Sequence, residues 1–132
     1  MLGDEALLEK VEPLVEFIAA AADEGLAPDG AMAYETFLTK QRTDTDRHWW
    51  VQAENIVGHS NLYQHFDDEV ALQKAFRCWE FIKKNLIDNR NGEWYWSIHA
   101  DGTVNTDDDK AGFWKCPYHN GRMCMEIMER FS

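Results

Sequence analysis

His119 is the residue whose position most clearly favours acid–base chemistry. It lies in the first turn of the predicted last helix, two residues after Pro117. Free backbone N–H groups and the helix dipole make that end positive, which disfavours the imidazolium ion and leaves a neutral imidazole ready to accept a proton. A histidine that only caps the helix or packs in the core would occupy the same position. The remaining histidines lack a comparable context: His48, His59, His65 and His99.

Tryptophan is the second residue type with a candidate role in binding. The chain has six tryptophans, and four of them form two local pairs, Trp49 with Trp50 and Trp94 with Trp96. An indole ring either fills a core or offers a flat apolar face on which a ligand such as a sugar can stack. Composition leaves both interpretations open.

The face of the predicted second helix that carries Trp50 also carries a carboxylate and an amide, Glu54 and Asn61. A face that only packs in a core would avoid these groups, because burying a polar group without a partner costs free energy. The pattern of this face is therefore not that of plain core packing.

Cysteine and aspartate give no sign of a metal site. Cys78, Cys116 and Cys124 have neither CxxC spacing nor a histidine at metal-ligand spacing, which favours reduced thiols in a cytoplasmic protein. The acidic run 107–109 lacks the spacing and the closing glutamate of a calcium loop, and we interpret it as a solvated loop. No metal and no organic cofactor is expected.

Composition narrows the class of protein. A length of 132 residues suits one domain, and the net charge of −11 disfavours nucleic acid and anionic membrane surfaces as partners. The sequence contains no apolar run long enough for a membrane span, and its first five residues do not read as a signal peptide. We expect a cytoplasmic protein.

Hydrophobic periodicity predicts four helices and one short β-hairpin. The first helix ends near Gly25 and either kinks at Pro13 or begins near it. The others are predicted over Arg47–Phe66 with Asp46 as N-cap, over Asp68–Ile87, and from Pro117 to Arg130. Alternation in Glu93–Ile98 predicts the hairpin, which lies between Asn89 and Val104, while Tyr34–Phe37 has no clear assignment. These elements fit a toroid of helical hairpins or a small closed bundle.

Three stretches resemble a known family in the right order. Residues 110–127, KAGFWKCPYHNGRMCMEI, resemble the C-terminal signature of cellobiose 2-epimerases, which belong to the N-acylglucosamine 2-epimerase superfamily. WWVQAE at 49–54 resembles the family's WWxQAE helix, and GEWYWS at 92–97 resembles its GEWFW hairpin. Tyr34-Glu35 resembles the family's YE after a glycine turn. WWxQAE alone indicates only the superfamily, whereas the last motif discriminates within it.

The resemblance implies an (α/α)6 barrel, in which twelve helices form two concentric rings with a sugar pocket at one end. The chain is all-α with about four helices, so residues 1–132 are expected to form a single C-terminal segment of such a barrel domain. Family members use further histidines and an arginine from earlier helices, which this chain does not contain. The chain is a fragment of a longer enzyme, the product of a truncated reading frame or a stand-alone descendant. Its expected partner is a second copy of itself or the missing N-terminal portion of the barrel.

The implied chemistry is epimerisation at C2 of a reducing sugar, which interconverts glucose and mannose at the end of a β-1,4 disaccharide such as cellobiose. By resemblance, His119 is one of two acid–base histidines, Trp114 contacts the sugar, and Trp50 stacks on the disaccharide with Trp49 close behind. Glu54 either orients a histidine, binds a hydroxyl group, or only packs against an arginine. The alternative function is a non-catalytic carbohydrate-binding or assembly fragment that keeps the tryptophan platform.

Overall fold

A computed structural model describes residues 4–132, which form four α-helices and two small antiparallel sheets. The helices are α1 (Glu5–Asp23), α2 (Trp49–Phe66), α3 (Glu69–Phe81) and α4 (Tyr118–Arg130). The strands are β1 (Glu35–Phe37), which pairs with β2 (Arg42–Asp44), and β3 (Arg47–His48), which pairs with β4 (Ser97–Ile98). The predicted class, a mostly helical chain with four helices, is confirmed.

The core lies where α2 packs between α3 and α4. Its buried apolar side chains come from these three helices, from the segments that follow α3 and from the segment before β1: Ala31, Trp49, Ala53, Ile56, Val57, Ala75, Cys78, Phe81, Ile82, Leu86, Trp94, Ile98 and Met123. By contrast, none of the residues Glu5–Asp23 of α1 is buried. Within residues 4–132, the helices are too short or too polar for any of them to cross a membrane.

The ends of the helices follow local hydrogen bonding. Asp68 caps α3, because its carboxylate accepts from the backbone N–H groups of Val70 and Ala71 at 2.9 and 3.0 Å. Helical structure continues beyond α3 as a π-helical turn, Ile82–Leu86, close to the predicted end at Ile87. The alternative that α1 begins near Pro13 is wrong: α1 begins at Glu5, where Asp4 caps its first turn, and runs through the proline.

The prediction that Asp46 caps α2 is wrong. Arg47 and His48 are extended and pair with Ile98 and Ser97, so α2 begins two residues later, at Trp49. The Asp46 carboxylate turns instead to the other strand of this sheet, where it accepts from Ala100 N–H at 3.0 Å and lies 2.9 Å from His99 Nδ1.

The predicted β-hairpin is present but is only part of the strand structure. Ile98 bridges Val104 across a tight turn. However, only Ser97–Ile98 of the predicted strand Glu93–Ile98 forms a strand, because Trp94 bridges Ile87 instead. The strand at Ser97–Ile98 finds its second neighbour about fifty residues earlier, in β3. A separate hairpin, β1–β2, accounts for the segment near Phe37 that the sequence left unassigned.

The His99–Asp46 ion pair makes the stability of this sheet depend on pH. The hydrogen bond to Asp46 raises the pKa of His99 above its ordinary value, with Asp101 and Asp107 acting in the same direction. A raised folded-state pKa stabilises the fold fully below the unfolded pKa of about 6.5, and this contribution is lost as the pH rises through the folded-state value. We expect the loss of urea resistance caused by His99→Gln to be larger at about pH 6 than at about pH 9. His65→Gln, at an exposed histidine of α2, serves as control, and a loss that does not change with pH would contradict the assignment.

Candidate functional site

The first turns of α2 place the WWVQAE residues on different sides of the helix. Trp49 is 3% exposed and packs in the core, whereas Trp50 is 37% exposed. Gln52 and Ala53 are fully buried, and Glu54 is half-buried. Little of the Trp49 ring is accessible, and its implied role in sugar binding, close behind Trp50, stays a prediction.

Gln52 fixes the segment before β1 against α2. Its side-chain amide accepts from the N–H of Met32 at 2.7 Å and donates to the carbonyl of Met32 at 2.8 Å. This two-way pairing brings Tyr34 onto the ring of His48, where the two rings stack with centroids 3.8 Å apart and an interplanar angle of 18°. Tyr34 also meets Trp50 edge-on, with centroids 6.3 Å apart, so a tyrosine joins the exposed indole at this surface.

His119 is the second residue of α4 and lies against both tryptophans of α2. Its ring centroid is 5.3 Å from that of Trp49 and 5.7 Å from that of Trp50. Its Nδ1 atom is 2.7 Å from Oε1 of Glu54. When Nδ1–H donates to this carboxylate, the neutral ring has its lone pair on Nε2, which is the atom that can accept a proton.

Glu54 contacts an arginine as well as the histidine, so both side chains considered as its partners lie beside it. Arg122 donates to both oxygens of Glu54 and reaches Glu126 at 2.6 Å. Glu126 in turn binds Arg130 at 2.8 Å, which extends the network along α4. Burial opposes the charge of Glu54, but the hydrogen bonds from Arg122 and His119 outweigh it and hold the pKa of this carboxyl below its usual range.

Trp114 lies on the loop before α4, and its indole is 82% exposed. Its ring meets Phe113 edge-on with centroids 4.9 Å apart. The loop is fixed at its base by Lys110, which binds the carboxylate of Asp88 at 2.6 Å. The structure brings Trp50, Glu54 and His119 together, whereas the contact of Trp114 with the sugar stays a prediction.

A groove of about 490 Å³ runs between α1 and α2 beside this cluster. Trp50, Glu54 and Tyr34 form part of its lining, and apolar side chains of α1 form the other wall. His59 also borders the groove, but its Nδ1 lies 3.0 Å from the Asn55 carbonyl and its Nε2 2.9 Å from Asp23. Both of its nitrogens are engaged, one within α2 and the other in a contact that joins α2 to α1.

Sequence reasoning missed three polar residues behind the cluster: Glu93, Lys115 and Asn120. Lys115 is buried, and its ammonium lies over the ring of Trp49, 4.8 Å from the centroid. Oε1 of Glu93 accepts from Lys115 at 3.1 Å and from the side chain of Asn120 at 3.0 Å. Their positions inside the matched motifs were the available signal, but a lysine in a loop gives no indication of burial. Across residues 4–132, no group of histidine, cysteine and acidic side chains is arranged to hold a metal ion.

Comparison with known proteins identifies the family. The sequence model of N-acylglucosamine 2-epimerase (GlcNAc 2-epimerase) matches residues 3–121, most of the chain. The chain belongs to this family. Members with similar sequences include the cellobiose 2-epimerase of Bacteroides fragilis, 59% identical over 128 residues, and that of Ruminococcus albus, 44% identical over 131 residues. These matches cover 97% and 98% of this chain and 33% of each relative.

Solved structures agree with the family assignment. A sugar epimerase from a ruminal bacterium superposes with a TM-score of 0.90 at 43% identity, over 99% of this chain and 33% of that one. The cellobiose 2-epimerase of Bacillus thermoamylovorans superposes with a TM-score of 0.83 at 39% identity, over 98% of this chain and 32% of that one. The predicted fold, part of an α/α barrel, is confirmed, and the chain spans about a third of the length of its relatives.

Proposed function

We propose that this chain supplies one acid–base histidine and part of the sugar-binding surface of a carbohydrate 2-epimerase. The observation that carries the proposal is the hydrogen bond of 2.7 Å between His119 Nδ1 and Glu54, made beside the exposed ring of Trp50. The bond orients the imidazole and leaves Nε2 as the proton acceptor. In this proposal residues 1–132 form a single C-terminal segment of the barrel domain.

The chemistry of such a site is proton transfer at carbon. Nε2 of His119 takes the proton from C2 of the open-chain sugar, and the electron pair of the C–H bond moves towards the carbonyl to give an enediolate. Return of a proton to the opposite face of C2 completes the epimerisation, either from a second base or from His119 after the carbonyl has rotated. Glu54 stabilises the imidazolium that forms between the two steps, as a carboxylate on the remote ring nitrogen does in other acid–base sites.

The substrate proposed is a β-1,4 disaccharide such as cellobiose, whose terminal glucose is converted to mannose and back. The relatives from Bacteroides fragilis and Ruminococcus albus are both named cellobiose 2-epimerase, which supports this choice. Trp50 offers the apolar face that stacks on a sugar ring. The three cysteines are free thiols in residues 4–132, which supports the proposal of a reducing, cytoplasmic location.

The test is the conversion of cellobiose to the mannose-ended disaccharide by a hybrid enzyme. In the hybrid, this chain replaces the equivalent segment of the Bacteroides fragilis relative, which is 59% identical to it. We expect the hybrid to form product and the 132-residue chain alone to give little turnover, since a second base and donors to the enediolate oxygen are expected from the remaining helices. A folded hybrid without activity contradicts the proposal and favours the alternative, a non-catalytic sugar-binding fragment.

Trp50→Ala is expected to weaken the binding of cellobiose by roughly 2- to 10-fold, because a stacked aromatic face contributes about 0.5–1.5 kcal/mol. Stacking holds the ground state and the transition state alike, so KM should rise more than kcat falls in the hybrid enzyme. Leu38→Ala removes another exposed apolar side chain, just after β1 and 85% exposed, and is the control. Equal KM values for Trp50→Ala and the unchanged enzyme would show that the ring does not bind sugar.

The chain is also proposed to associate, either with the N-terminal portion of the barrel or with itself. Large apolar side chains are exposed on α1 and at the end of α4, among them Leu14, Phe17, Met125 and Met128. An apolar groove of about 450 Å³ lies between α2, α3 and α4. Such surfaces usually mark interfaces. We expect sedimentation velocity to give a mass above 15.4 kDa that rises with concentration, and a monomer at every concentration would contradict the expectation.

A further inference from the structure

Lys115 is a charged side chain in the interior, 1% exposed. Its ammonium donates to the carbonyl of Lys110 at 2.6 Å, the carbonyl of Trp94 at 2.8 Å and the carboxylate of Glu93 at 3.1 Å. These three acceptors match the three N–H donors of an ammonium group. Burial lowers the pKa of Lys115, and the bond to Glu93 opposes that shift. The carboxylate of Glu93 is 30% exposed, so only the ammonium of this ion pair is fully buried. Because burying a charge in an ion pair often stabilises a fold no more than apolar packing does, its presence points to a geometric role.

Glu93 is constrained even more strongly than its partner. Its backbone lies in the left-handed region with φ at 62°, which is disfavoured for a residue with a Cβ atom. A single carboxylate oxygen accepts from three donors: Trp94 N–H at 2.9 Å, Asn120 Nδ2 at 3.0 Å and Lys115 Nζ at 3.1 Å. Glu93 thus joins the turn before β4, the loop before α4 and the first turn of α4.

The two residues are linked to His119 through different neighbours. Lys115 lies on Trp49, and the ring of Trp49 in turn meets His119 edge-on at 5.3 Å. Glu93 holds Asn120, which is the next residue after His119 in α4. We propose that Lys115 and Glu93 are positioning residues for His119, which fix the plane of its ring so that Nδ1 meets Glu54. The catalytic meaning of this role rests on the proposed function, whereas the geometry can be tested without turnover.

The experiment measures the tautomer of His119 in the 132-residue chain by long-range ¹H–¹⁵N correlation spectra at about pH 9, where imidazoles are neutral. We expect the unchanged chain to show His119 with its proton on Nδ1 alone, and a mixture already present there would overturn the proposal. In Glu93→Gln and Lys115→Met, we expect a mixture of the two tautomers. His59, which is bound to Asn55 and Asp23, reports in the same spectra whether the fold is intact.

Lys83→Met is the matched control, because Lys83 lies on the π-helical turn after α3 and binds the exposed Glu80 at 2.5 Å. It should leave the tautomer of His119 unchanged, and a change equal to that of Lys115→Met would overturn the proposal. An unchanged His119 in folded Glu93→Gln would overturn it too.

Should Glu93→Gln or Lys115→Met also lose the His59 signal, Asn120→Ala decides, since it breaks the contact with Glu93 without leaving a charge unpaired. A mixture of His119 tautomers with His59 intact supports the proposal, and an unchanged His119 refutes it. Failure of the proposed function would appear separately, as a folded hybrid enzyme that forms no product.

Discussion

Replacing His119 with asparagine is expected to slow the exchange of the C2 proton of cellobiose by about 10²–10⁴-fold, the usual contribution of a general acid–base group. Asparagine keeps the approximate size and a hydrogen-bond donor for Glu54 but cannot accept a proton. The sugar should still bind, because Trp50 and Glu54 remain in place. The measurement is deuterium exchange at C2 in D₂O, catalysed by the hybrid enzyme in which this chain completes the Bacteroides fragilis relative.

The control for this substitution is His65→Asn, at an exposed histidine in the last turn of α2. It should leave the exchange rate within twofold or so of the starting enzyme, since a surface change away from the cluster has little effect. Exchange at the original rate in His119→Asn would show that His119 is not an essential base. The proposed mechanism would then have to be abandoned, although the family assignment would stand.

Gln52→Leu is expected to lower the free energy of unfolding of the 132-residue chain by roughly 1–3 kcal/mol, at about 0.5–1.5 kcal/mol for each hydrogen bond lost to the half-buried backbone of Met32. The two backbone groups are the N–H and the carbonyl of Met32, both bound by the Gln52 amide. Leucine has a similar volume, so the loss reflects hydrogen bonds rather than packing. Urea unfolding followed by circular dichroism measures it.

Gln73→Leu is the matched control, because Gln73 is an exposed glutamine on α3. It should change the free energy of unfolding by no more than about 0.5 kcal/mol. A second measurement connects the Gln52–Met32 pairing with the surface at Trp50. The NMR signals of the Tyr34 ring should shift in Gln52→Leu and stay unchanged in Gln73→Leu. Equal stabilities of the two variants would contradict the role assigned to Gln52.

The sequence could predict those parts of the site that depend on one helix or on a matched motif. The period of α2 placed Trp50 and Glu54 on one face, and the resemblance placed His119 beside them. Pairing between β3 and β4 could not be predicted, because it joins residues about fifty positions apart and each strand has only two residues. For the same reason Asp46 was assigned to a helix cap when its partners lie near His99.

Burial of charge was the other part that local patterns could not reveal. Lys115 stands between Trp114 and Cys116 in a loop, where a lysine is ordinarily solvated. Its burial depends on Glu93 and the Trp94 carbonyl from a distant segment, together with the Lys110 carbonyl of its own loop, and these come together only in the folded chain. Trp49 and Trp50 likewise differ in exposure through tertiary packing.

The adjacency of Trp49 and Trp50 makes the rotational setting of α2 a determinant of the site. Successive residues of an α-helix are turned by about 100°, so neighbouring indoles cannot share one direction. An insertion of a single residue just before Trp49 would move Trp49 to the outward position of Trp50, move Trp50 to the buried position of Val51, and carry Glu54 away from His119. The extended residues Arg47–His48 lie immediately before the first turn of α2, and Gln52, which binds Met32, lies just after it. Together they fix the rotation of α2 about its axis. When segments are exchanged between relatives, the junctions should therefore lie outside residues 47–54, so that the start of α2 and the contacts that fix its rotation come from the same protein.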